Sequence, residues 1–391
     1  MKNVVIVGAS HAAAEAISSL RKGGWSDKIT LIGDETVLPY QRPPLSKAYY
    51  KGDVTLEKLA IKNEAFYQNA EVDLFLGRRA TRIDRGTNEI ELDDGTLIAY
   101  SKLIIATGTR ARKLPIEGAD LPQIKYLRTA ADVDHIKNGL AVGSKLLIVG
   151  AGYIGLEVAA SAVKQGLDVV VLEAQDRVLA RVTSPEISDF FQLVHKQEGV
   201  DIRLAATLKK FTQIDGATVA ELDSGEQLEF DCAIVGIGVI PNSELASEAG
   251  ISCDNGILVD EFTRTQDPNI YAVGDCSNHP NSMYQRRIRL ESVPNAVAQA
   301  KTAALSICGT DQAYNQLPWF WSDQYDVKLQ TAGLMQGYDK AVVEGEPSSR
   351  KFTVSYFKGN ELIAMDAINS PADFMKAKKK ISLALTNDSE L

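Results

Sequence analysis

The sequence predicts an α/β protein with two Rossmann-like nucleotide-binding domains, the second inserted in the first, and a C-terminal α+β domain. Two glycine-containing turns are the main evidence, VVIVGASHAA at residues 4–13 and LLIVGAGYIGLE at residues 146–157. Each turn joins a short apolar strand to a helix, which is typical of dinucleotide-binding units. Beyond residue 310 the pattern changes to short strands and a closing helix, which predicts the third domain.

The first two domains repeat each other element by element. The opening order is strand, helix, strand, over residues 3–7, 11–22 and 28–32. The same order recurs over residues 145–149, 153–164 and 168–173. ELDDGTLIAYSKLIIATG at residues 91–108 also aligns without a gap with ELDSGEQLEFDCAIVGIG at residues 221–238, and each is typical of a hairpin followed by a buried strand. We infer an internal duplication, which supports two equivalent domains.

The remaining elements set the expected domain boundaries. A strand at residues 269–273 and a helix at residues 292–307 are expected to complete the first domain. The first domain then comprises residues 1–108 and 239–310, the second residues 109–238, and the third residues 311–391. The third domain is expected to hold strands at residues 327–332, 341–344, 352–356 and 362–367 and a helix at residues 371–385.

Composition narrows the functional class and the location. The net charge of −9 argues against a nucleic-acid partner. No apolar run approaches the roughly 20 residues that a membrane span needs, and no signal-peptide pattern opens the chain. The four cysteines (Cys232, Cys253, Cys276 and Cys308) form no CxxC pair. The four histidines do not cluster, so no metal site is expected. We expect a cytoplasmic protein with reduced cysteines and neither nucleic-acid nor membrane partners.

The second glycine turn predicts an NAD site. Gly150, Gly152 and Gly155 complete the GxGxxG pattern, which gives a tight turn, close approach of the pyrophosphate and close packing of helix on strand. Glu173 ends the next strand and can accept both ribose hydroxyls, while it would repel a 2′-phosphate. This favours NADH over NADPH, although Arg177 lies close enough in sequence to weaken the preference.

The first glycine turn is less complete but also predicts a nucleotide site. Gly8 is kept, while Ser10 and Ala13 replace the other two glycines. Both are small enough to permit close approach of a phosphate. Asp34 and Glu35 follow the second strand, where they can hold a ribose. A proline-stiffened loop, LPYQRPPLSK at residues 38–47, ends on a lysine that can present a fixed positive charge to a cofactor ring.

Further motifs extend over essentially the whole chain in a family-specific order. They are RPPLSK, LIIATG, YLRT, IVGAGYIGLEVAASA, ELASEAGI, AVGDC, ESVPNA and PWFWSDQYD. Together they closely resemble the FAD-dependent NADH:ferredoxin reductases of bacterial oxygenase systems, the putidaredoxin-reductase and aromatic-dioxygenase-reductase type of glutathione-reductase-like flavoprotein. RPPLSK, ESVPNA and PWFWSDQYD are the most specific of these motifs.

The resemblance implies which residues contact the cofactors. FAD is expected to contact Gly8, His11, Ala12, Asp34, Arg42, Lys47, Ala80, Ala106, Thr107, Gly108, Arg128, Gly274, Asp275, Val293 and Trp321. NAD is expected to contact Gly150, Gly152, Tyr153, Ile154, Gly155, Glu173 and Gly238. Lys47 and Glu157 resemble the Lys–Glu pair that lies next to the flavin in this family. These two are the expected catalytic residues, acting by electrostatics, and the resemblance implies no acid or base catalyst.

The resemblance also implies the reaction and the partner. Residues 38–68 contain no cysteine, whereas disulfide reductases and NADH peroxidases of this superfamily carry one or two in this stretch. FAD is then the only redox centre, so NADH reduces it and a [2Fe–2S] ferredoxin takes single electrons from it. That ferredoxin is expected to feed a cytochrome P450 or a ring-hydroxylating dioxygenase.

The docking surface and the competing functions stay open at this point. Arg286, Arg287 and Arg289 form one candidate basic patch for an acidic ferredoxin, and the lysines at 376, 378, 379 and 380 form another. A rubredoxin or other small-acceptor reductase is the alternative function. A monodehydroascorbate-type reductase shares the fold, and an interaction flavoprotein like apoptosis-inducing factor is a more distant possibility.

Overall fold

A computed structural model describes residues 2–387 of the protein. Its helices are α1 (His11–Lys22), α2 (Ala48–Lys51), α3 (Glu64–Asn69), α4 (Ala130–Lys137), α5 (Tyr153–Val163), α6 (Pro185–Gln197), α7 (Glu244–Glu248), α8 (Val293–Ile307) and α9 (Pro371–Asn387). The strands up to residue 126 are β1 (Asn3–Val7), β2 (Lys28–Gly33), β3 (Val72–Leu76), β4 (Ala80–Asp84), β5 (Glu89–Leu92), β6 (Leu97–Ala99), β7 (Lys102–Ile105), β8 (Thr109–Ala111) and β9 (Ile124–Tyr126).

The later strands divide into two groups. Those of the middle of the chain are β10 (Lys145–Val149), β11 (Asp168–Leu172), β12 (Asp201–Arg203), β13 (Leu208–Ile214), β14 (Ala217–Leu222), β15 (Gln227–Phe230), β16 (Cys232–Val235) and β17 (Val239–Pro241). The remainder are β18 (Ile257–Leu258), β19 (Ile270–Ala272), β20 (Ser277–Asn281), β21 (Arg286–Ile288), β22 (Trp319–Gln324), β23 (Val327–Gly333), β24 (Lys340–Glu346), β25 (Lys351–Lys358) and β26 (Glu361–Ile368).

Two parallel five-stranded sheets share the arrangement of four strands, and each has a fifth strand at the edge that comes last along the chain in the first sheet and first in the second. The first has the order β19-β7-β1-β2-β3, and the second has the order β9-β16-β10-β11-β12. Strand β1 is buried along its whole length, as expected for a central parallel strand covered on both faces. Because β19 pairs with β7, the chain leaves the first sheet after Ile105 and returns to it at Ile270. The fold-class prediction of two Rossmann-like units, one inserted in the other, is confirmed.

Small side chains let α1 pack closely against α8 over the first sheet. Gly23 caps the C-terminal end of α1, and four of the seven buried residues of this helix are alanines. The facing alanines of α8 belong to the same buried cluster, which includes Ala13, Ala16, Ala300, Ala303 and Ala304. These small side chains allow the two helices to pack closely, which supports the N-terminal end of α1 next to the Gly8 turn.

The C-terminal part forms an antiparallel sheet covered by α9. The order is β22-β23-β26-β25-β24, and Phe374, Ala377 and Ile381 of α9 are buried against it. The four predicted strands and the helix are present with slightly wider bounds, while β22 was not predicted as a strand. The sequence of β22, WFWSDQ, does not alternate between apolar and polar residues. In the structure its aromatic side chains are only half buried, so they do not form a regular inward-facing row. Residues 388–391 of the expected third domain lie outside the described part of the chain.

Candidate active site

A cavity of about 630 Å³ opens at the carboxyl ends of the central strands and runs between both sheets and β22. Fourteen of the fifteen expected FAD contacts line it, namely Gly8, His11, Ala12, Asp34, Arg42, Lys47, Ala106, Thr107, Gly108, Arg128, Gly274, Asp275, Val293 and Trp321. Six of the seven expected NAD contacts also line it, namely Gly152, Tyr153, Ile154, Gly155, Glu173 and Gly238. The expected contacts therefore converge on one space, although their individual roles stay predictions.

Two expected contacts lie outside the cavity wall. Ala80 begins β4 and packs against the core of the first domain, so the structure gives it no position beside a ligand. Gly150 lies beneath the second glycine turn with a φ of +105°, and a Cβ there would lie 2.5 Å from the Gly236 carbonyl oxygen. Gly150 therefore shapes the turn, whereas Gly152 faces open space into which a phosphate can approach.

The first glycine turn obeys the same steric rule. Gly8 has a φ of +107°, and a Cβ there would lie 2.2 Å from the Ala106 carbonyl oxygen. Only glycine fits at this position of the turn. This explains why the first glycine of the pattern is present although other residues replace the second and third glycines. Ser10 caps α1 in extended conformation and Ala13 is fully buried, so both replacements are accommodated without changing the turn.

Positive groups surround the N-terminal end of α1. Arg42 donates to Glu35 Oε1 at 2.5 Å and to the Arg128 carbonyl at 2.9 Å. Burial, together with the positive charges of Arg42 and Arg128, lowers the pKa of His11 to about 4. His11 is thus neutral at physiological pH in a buried, positive environment. A helix N-terminus with no acidic residue in its first turn, beside two guanidinium groups, fits a pyrophosphate.

Asp275 supplies a buried carboxylate at the edge of the same region. Burial raises the pKa of Asp275, and its nearest cation, Arg128, lies 3.7 Å away. Thr109 Oγ1 approaches its carboxylate at 3.4 Å. The carboxylate therefore has free acceptor capacity toward the cavity, which fits a polyhydroxyl chain such as the ribityl group of FAD.

Lys47 and Glu157 form a buried ion pair where the three parts of the chain meet. Lys47 Nζ lies 2.7 Å from Glu157 Oε2, and only 7% of the Glu157 side chain is exposed. Ser46 Oγ donates to Glu157 Oε2 at 2.5 Å, and Ser322 Oγ donates to Glu157 Oε1 at 2.6 Å. The carboxylate thus has a positive partner and two hydroxyl donors, as a buried charge requires.

Sequence reasoning did not identify the two serines. Ser46 comes directly before Lys47 in the RPPLSK motif, and Ser322 comes directly after Trp321 in β22. Alternation along a strand turns Ser322 away from the side on which Trp321 lines the cavity. If β22 had been predicted as a strand, this alternation would have indicated that Ser322 points away from the cavity. Thr109 and Asn242 also line the cavity without having been predicted.

Glu173 is held at the second glycine turn by backbone amides. Its Oε2 accepts the Ala151 amide at 2.8 Å, and its Oε1 accepts the Gln175 amide at 3.0 Å. The expectation that Arg177 weakens the NADH preference finds no support in the position of its side chain. The Arg177 guanidinium donates instead to the Thr183 and Ala180 carbonyls and to Ser188, so it is directed into the protein.

The expected arginine patch is largely committed to internal contacts. Arg289 pairs with Glu291 at 2.7 Å, and its side chain is only 11% exposed. Arg287 donates to the Val259 carbonyl at 2.6 Å and to the Asn278 carbonyl. Arg286 and Arg287 are both exposed on β21. Of the three arginines, Arg289 has its charge paired with a carboxylate, and the Arg287 guanidinium is held against backbone carbonyls by the hairpin of β20 and β21.

Other classes of site find no support in the part of the chain that the structure covers. Within residues 2–387, no group of His, Cys, Asp and Glu side chains is arranged to hold a metal ion. Among the helices of the same residues, none combines the length and the apolar character that a bilayer span requires.

Comparisons with known proteins agree with this geometry. Residues 2–300 match the pyridine nucleotide-disulphide oxidoreductase family, and residues 319–390 match the reductase C-terminal family. The chain is 46% identical to rhodocoxin reductase of Rhodococcus erythropolis, over 96% of this chain and 88% of that one. It is 40% identical to a rubredoxin–NAD(+) reductase of Pseudomonas putida, over 94% of this chain and 96% of that one.

A solved structure extends the likeness to three dimensions. The covalent complex of putidaredoxin reductase with putidaredoxin contains a chain that is similar to this one with a TM-score of 0.94. The two share 40% sequence identity, over 97% of this chain and 93% of the other.

Proposed function

The chain belongs to the pyridine nucleotide-disulphide oxidoreductase family, and we propose that it delivers electrons from NADH, through FAD, to a [2Fe–2S] ferredoxin of an oxygenase system. It is an oxidoreductase, and its cofactors are FAD and NAD(H). The observation that carries the proposal is the convergence of both sets of cofactor contacts on a single cavity, with the Lys47–Glu157 pair in its wall.

The chain binds and orients the cofactors without an acid or base catalyst. FAD, when bound, accepts two electrons from NADH and passes them singly to a one-electron acceptor. The α1 N-terminus, Arg42 and Arg128 hold the FAD pyrophosphate, and Asp275 accepts hydroxyls of the ribityl chain. The Gly152 turn admits the NADH pyrophosphate, so that both cofactors meet in one water-restricted space.

Lys47 contributes a fixed positive charge at the ring-binding end of the cavity. Its ion pair with Glu157 and the rigidity of the proline loop restrict the ammonium to one position. A cation in that position stabilises the electron-rich reduced form of the cofactor. Glu157 is the positioning partner of Lys47, and its own charge is satisfied by Ser46 and Ser322.

Glu173 gives the preference for NADH. Its carboxylate is the acceptor for the adenosine ribose hydroxyls and repels a 2′-phosphate. Because the Arg177 side chain is bound to backbone carbonyls, it offers no compensating positive charge. We therefore expect kcat/KM for NADPH to be lower than for NADH by at least about tenfold.

The lysines of α9 are the better candidate for the ferredoxin contact. Lys379 and Lys380 are exposed, and Lys378 Nζ lies 4.4 Å from the Trp319 ring centroid. Trp319 in turn lies 5.8 Å, centroid to centroid, from Trp321 in the cavity wall. An acidic ferredoxin bound to these lysines would lie beside two indole rings that lead to the cofactor site.

Charge reversal distinguishes the two basic patches. The variant Lys379→Glu/Lys380→Glu is expected to raise the KM for an acidic ferredoxin about tenfold at low salt, and less at high salt, because the contact is electrostatic. Arg286→Glu, which changes one charge at the other patch, serves as the comparison. A larger effect of Arg286→Glu would assign docking to the arginine patch.

The acceptor assay tests the proposed function as a whole. NADH oxidation is followed with a [2Fe–2S] ferredoxin and cytochrome c, and in parallel with a rubredoxin and with oxygen alone. Faster turnover with the ferredoxin supports the proposal. Faster turnover with the rubredoxin would favour the second candidate function, which is suggested by the similarity to a rubredoxin–NAD(+) reductase. NADH oxidation with none of these acceptors would contradict both.

A further inference from the structure

A row of hydrogen bonds leads from Glu157 away from the cavity. Ser322 donates to Glu157 Oε1 at 2.6 Å, and Gln324 Nε2 donates to Ser322 Oγ at 3.2 Å. His195 Nε2 lies 2.8 Å from Gln324 Oε1, and the Tyr325 hydroxyl lies 3.0 Å from His195 Nδ1. We call this row, from Tyr325 to Ser322, the donor chain. None of its four members lines the cavity.

The donor chain is enclosed and spans separate elements. Ser322, Gln324 and His195 are all at most 1% exposed. Ser322 and Gln324 lie two apart on β22 and so share one face of that strand, while His195 lies on α6. The donor chain therefore joins the second sheet domain to the C-terminal sheet, directly behind the Lys47–Glu157 pair.

The charge on Glu157 fixes the direction of every bond in the donor chain. Glu157 as a carboxylate only accepts, so the Ser322 proton must point to it. Ser322 Oγ is then left to accept from the Gln324 amide nitrogen, which turns Gln324 Oε1 toward His195. A carbonyl oxygen only accepts, so His195 must carry its proton on Nε2. Its Nδ1 is left to accept the Tyr325 hydroxyl.

The reverse arrangement would place like groups in contact. If Gln324 were flipped, its oxygen would accept the Ser322 proton, and a serine lone pair would face the Glu157 carboxylate. A buried carboxylate that loses a donor is unfavourable because water cannot replace that donor. Burial also lowers the pKa of His195 to about 4, so its ring is neutral and has one proton to place.

We propose that His195 and Gln324 are positioning residues for the Lys47–Glu157 pair: His195, as the Nε2–H tautomer, fixes the Gln324 amide, which aims the Ser322 hydroxyl at Glu157. The inference rests on the proposed function, in which this pair sets the electrostatics of the FAD site. None of the donor-chain residues touches either cofactor in this account.

Loss of the donor chain changes the charge that Lys47 offers to the cavity. Without a fixed amide behind it, Ser322 can turn its proton away, and Glu157 Oε1 loses its only donor outside the Ser46–Lys47 side. The carboxylate then attracts the Lys47 ammonium more strongly, and less of the positive charge acts on the cofactor. The reduced cofactor is stabilised less, so its midpoint potential falls.

The first test measures the tautomer directly. The protein contains four histidines, so selective ¹⁵N-histidine labelling of the FAD-loaded protein gives few ring signals, and His195→Gln identifies those of His195. We expect a neutral ring with its proton on Nε2 at pH 7. A proton on Nδ1 would overturn the inference, since it breaks the direction of the donor chain.

The second test separates positioning from simple packing. His195→Phe keeps an aromatic ring but removes the donor, whereas His195→Gln keeps an amide N–H that can reach the place of Nε2. We expect His195→Phe to lower the FAD midpoint potential and to slow FAD reduction by NADH about tenfold, because Gln324 is then no longer fixed and Ser322 no longer holds its hydrogen bond to the Glu157 carboxylate. We expect His195→Gln to restore both values.

Two further variants keep the test decisive. Ser322→Ala removes the hydroxyl that donates to Glu157, with the smallest change in volume. We expect it to lower the FAD midpoint potential, as His195→Phe does, and it provides this test even if His195→Phe does not fold. His135→Gln, at an exposed histidine of α4, makes the matched substitution away from the site and is expected to change nothing.

The outcomes separate failure of the inference from failure of the proposed function. If the wild-type protein binds FAD and NADH reduces it, while His195→Phe and Ser322→Ala both keep the wild-type potential, the positioning role is excluded and the function stands. If NADH does not reduce FAD in the wild-type protein, the proposed function fails, and the tautomer measurement still decides the direction of the donor chain.

Discussion

Lys47 and Glu157 show how a single buried pair can serve both stability and electron transfer. Their side chains are 19% and 7% exposed, so each charge depends on the other. We expect Lys47→Gln to lower the free energy of unfolding by about 3 to 5 kcal/mol, because it leaves a buried carboxylate without its cation. Chemical denaturation measures this change.

The double variant separates charge from packing at the same pair. Lys47→Gln/Glu157→Gln removes both charges, and we expect it to regain much of the lost stability. It should nevertheless reduce FAD more slowly with NADH than the wild-type protein, since the cation is missing. A double variant as active as the wild type would remove Lys47 from the mechanism.

In the proposed function, Glu173 carries the cofactor preference as a single side chain. We expect Glu173→Gln to lower kcat/KM for NADH about tenfold and to raise the ratio of NADPH to NADH activity, because the amide no longer repels a 2′-phosphate. Steady-state rates with both nucleotides measure the ratio.

Arg177→Lys is the matched control for Glu173. The Arg177 guanidinium binds two backbone carbonyls and Ser188, so this variant should lower Tm and leave the nucleotide ratio unchanged. A change in the ratio would mean that Arg177 acts on the nucleotide after all.

At the scale of elements, the two glycine turns are sterically equivalent, and the proposed function assigns them to different cofactors. Gly8 and Gly150 both have φ near +105°, and each faces a carbonyl oxygen that leaves no room for a Cβ. We expect Gly8→Ala to abolish most FAD retention, measured as flavin absorbance per protein. Gly150→Ala should keep FAD and raise the KM for NADH.

A third variant checks the departure from the glycine pattern. Ser10→Gly restores the second glycine of the first turn, and because Ser10 lies in extended conformation it should leave FAD content unchanged. Loss of FAD in Gly150→Ala instead of Gly8→Ala would contradict the assignment of the two turns.

The same elements show what the sequence could predict. β1 and α1 were predicted to the residue, because a run of four aliphatic residues, a glycine turn and an alanine-rich helix leave few alternatives. β22 was missed because its side chains serve the cavity and are only half buried, which removes the alternation that marks a strand. Because β22 was not predicted as a strand, the role of Ser322 beside Glu157 was not predicted either.

For the whole molecule, three histidines with lowered pKa values predict sensitivity to acid. Burial lowers the pKa of His11, His195 and His279 from 6.5 to about 4 in each case. Unfolding restores their ordinary pKa, so their contribution to stability is complete above pH 6.5 and is lost as the pH falls toward 4. The free energy of unfolding should drop by up to roughly 4 kcal/mol per pH unit in that window.

One substitution isolates a single histidine from this effect. His195→Gln has no proton to gain there, so its stability should fall less steeply between pH 6.5 and 4 than that of the wild type. Tm recorded against pH compares the two slopes. Equal slopes would mean that His195 does not titrate on unfolding.

For the whole molecule, the partners of the charged side chains are the feature that the sequence predicts least well. The residues of the cofactor cavity could be named in advance because the family motifs that carry them are contiguous. The partners of Arg177, Arg287 and Arg289 could not, because each guanidinium binds backbone carbonyls that only the folded chain brings near. Counting free cations in the sequence therefore overestimates the docking charge.

The measurement that tests the central claim most directly is an anaerobic titration of the FAD-loaded protein with NADH in the presence of excess oxidised [2Fe–2S] ferredoxin. Because FAD takes two electrons and releases them singly, each NADH should yield about two reduced ferredoxins, with no other redox centre storing electrons. Absorbance of the iron–sulfur centre gives this ratio. Flavin bleaching without ferredoxin reduction would contradict the account and move the function to another acceptor.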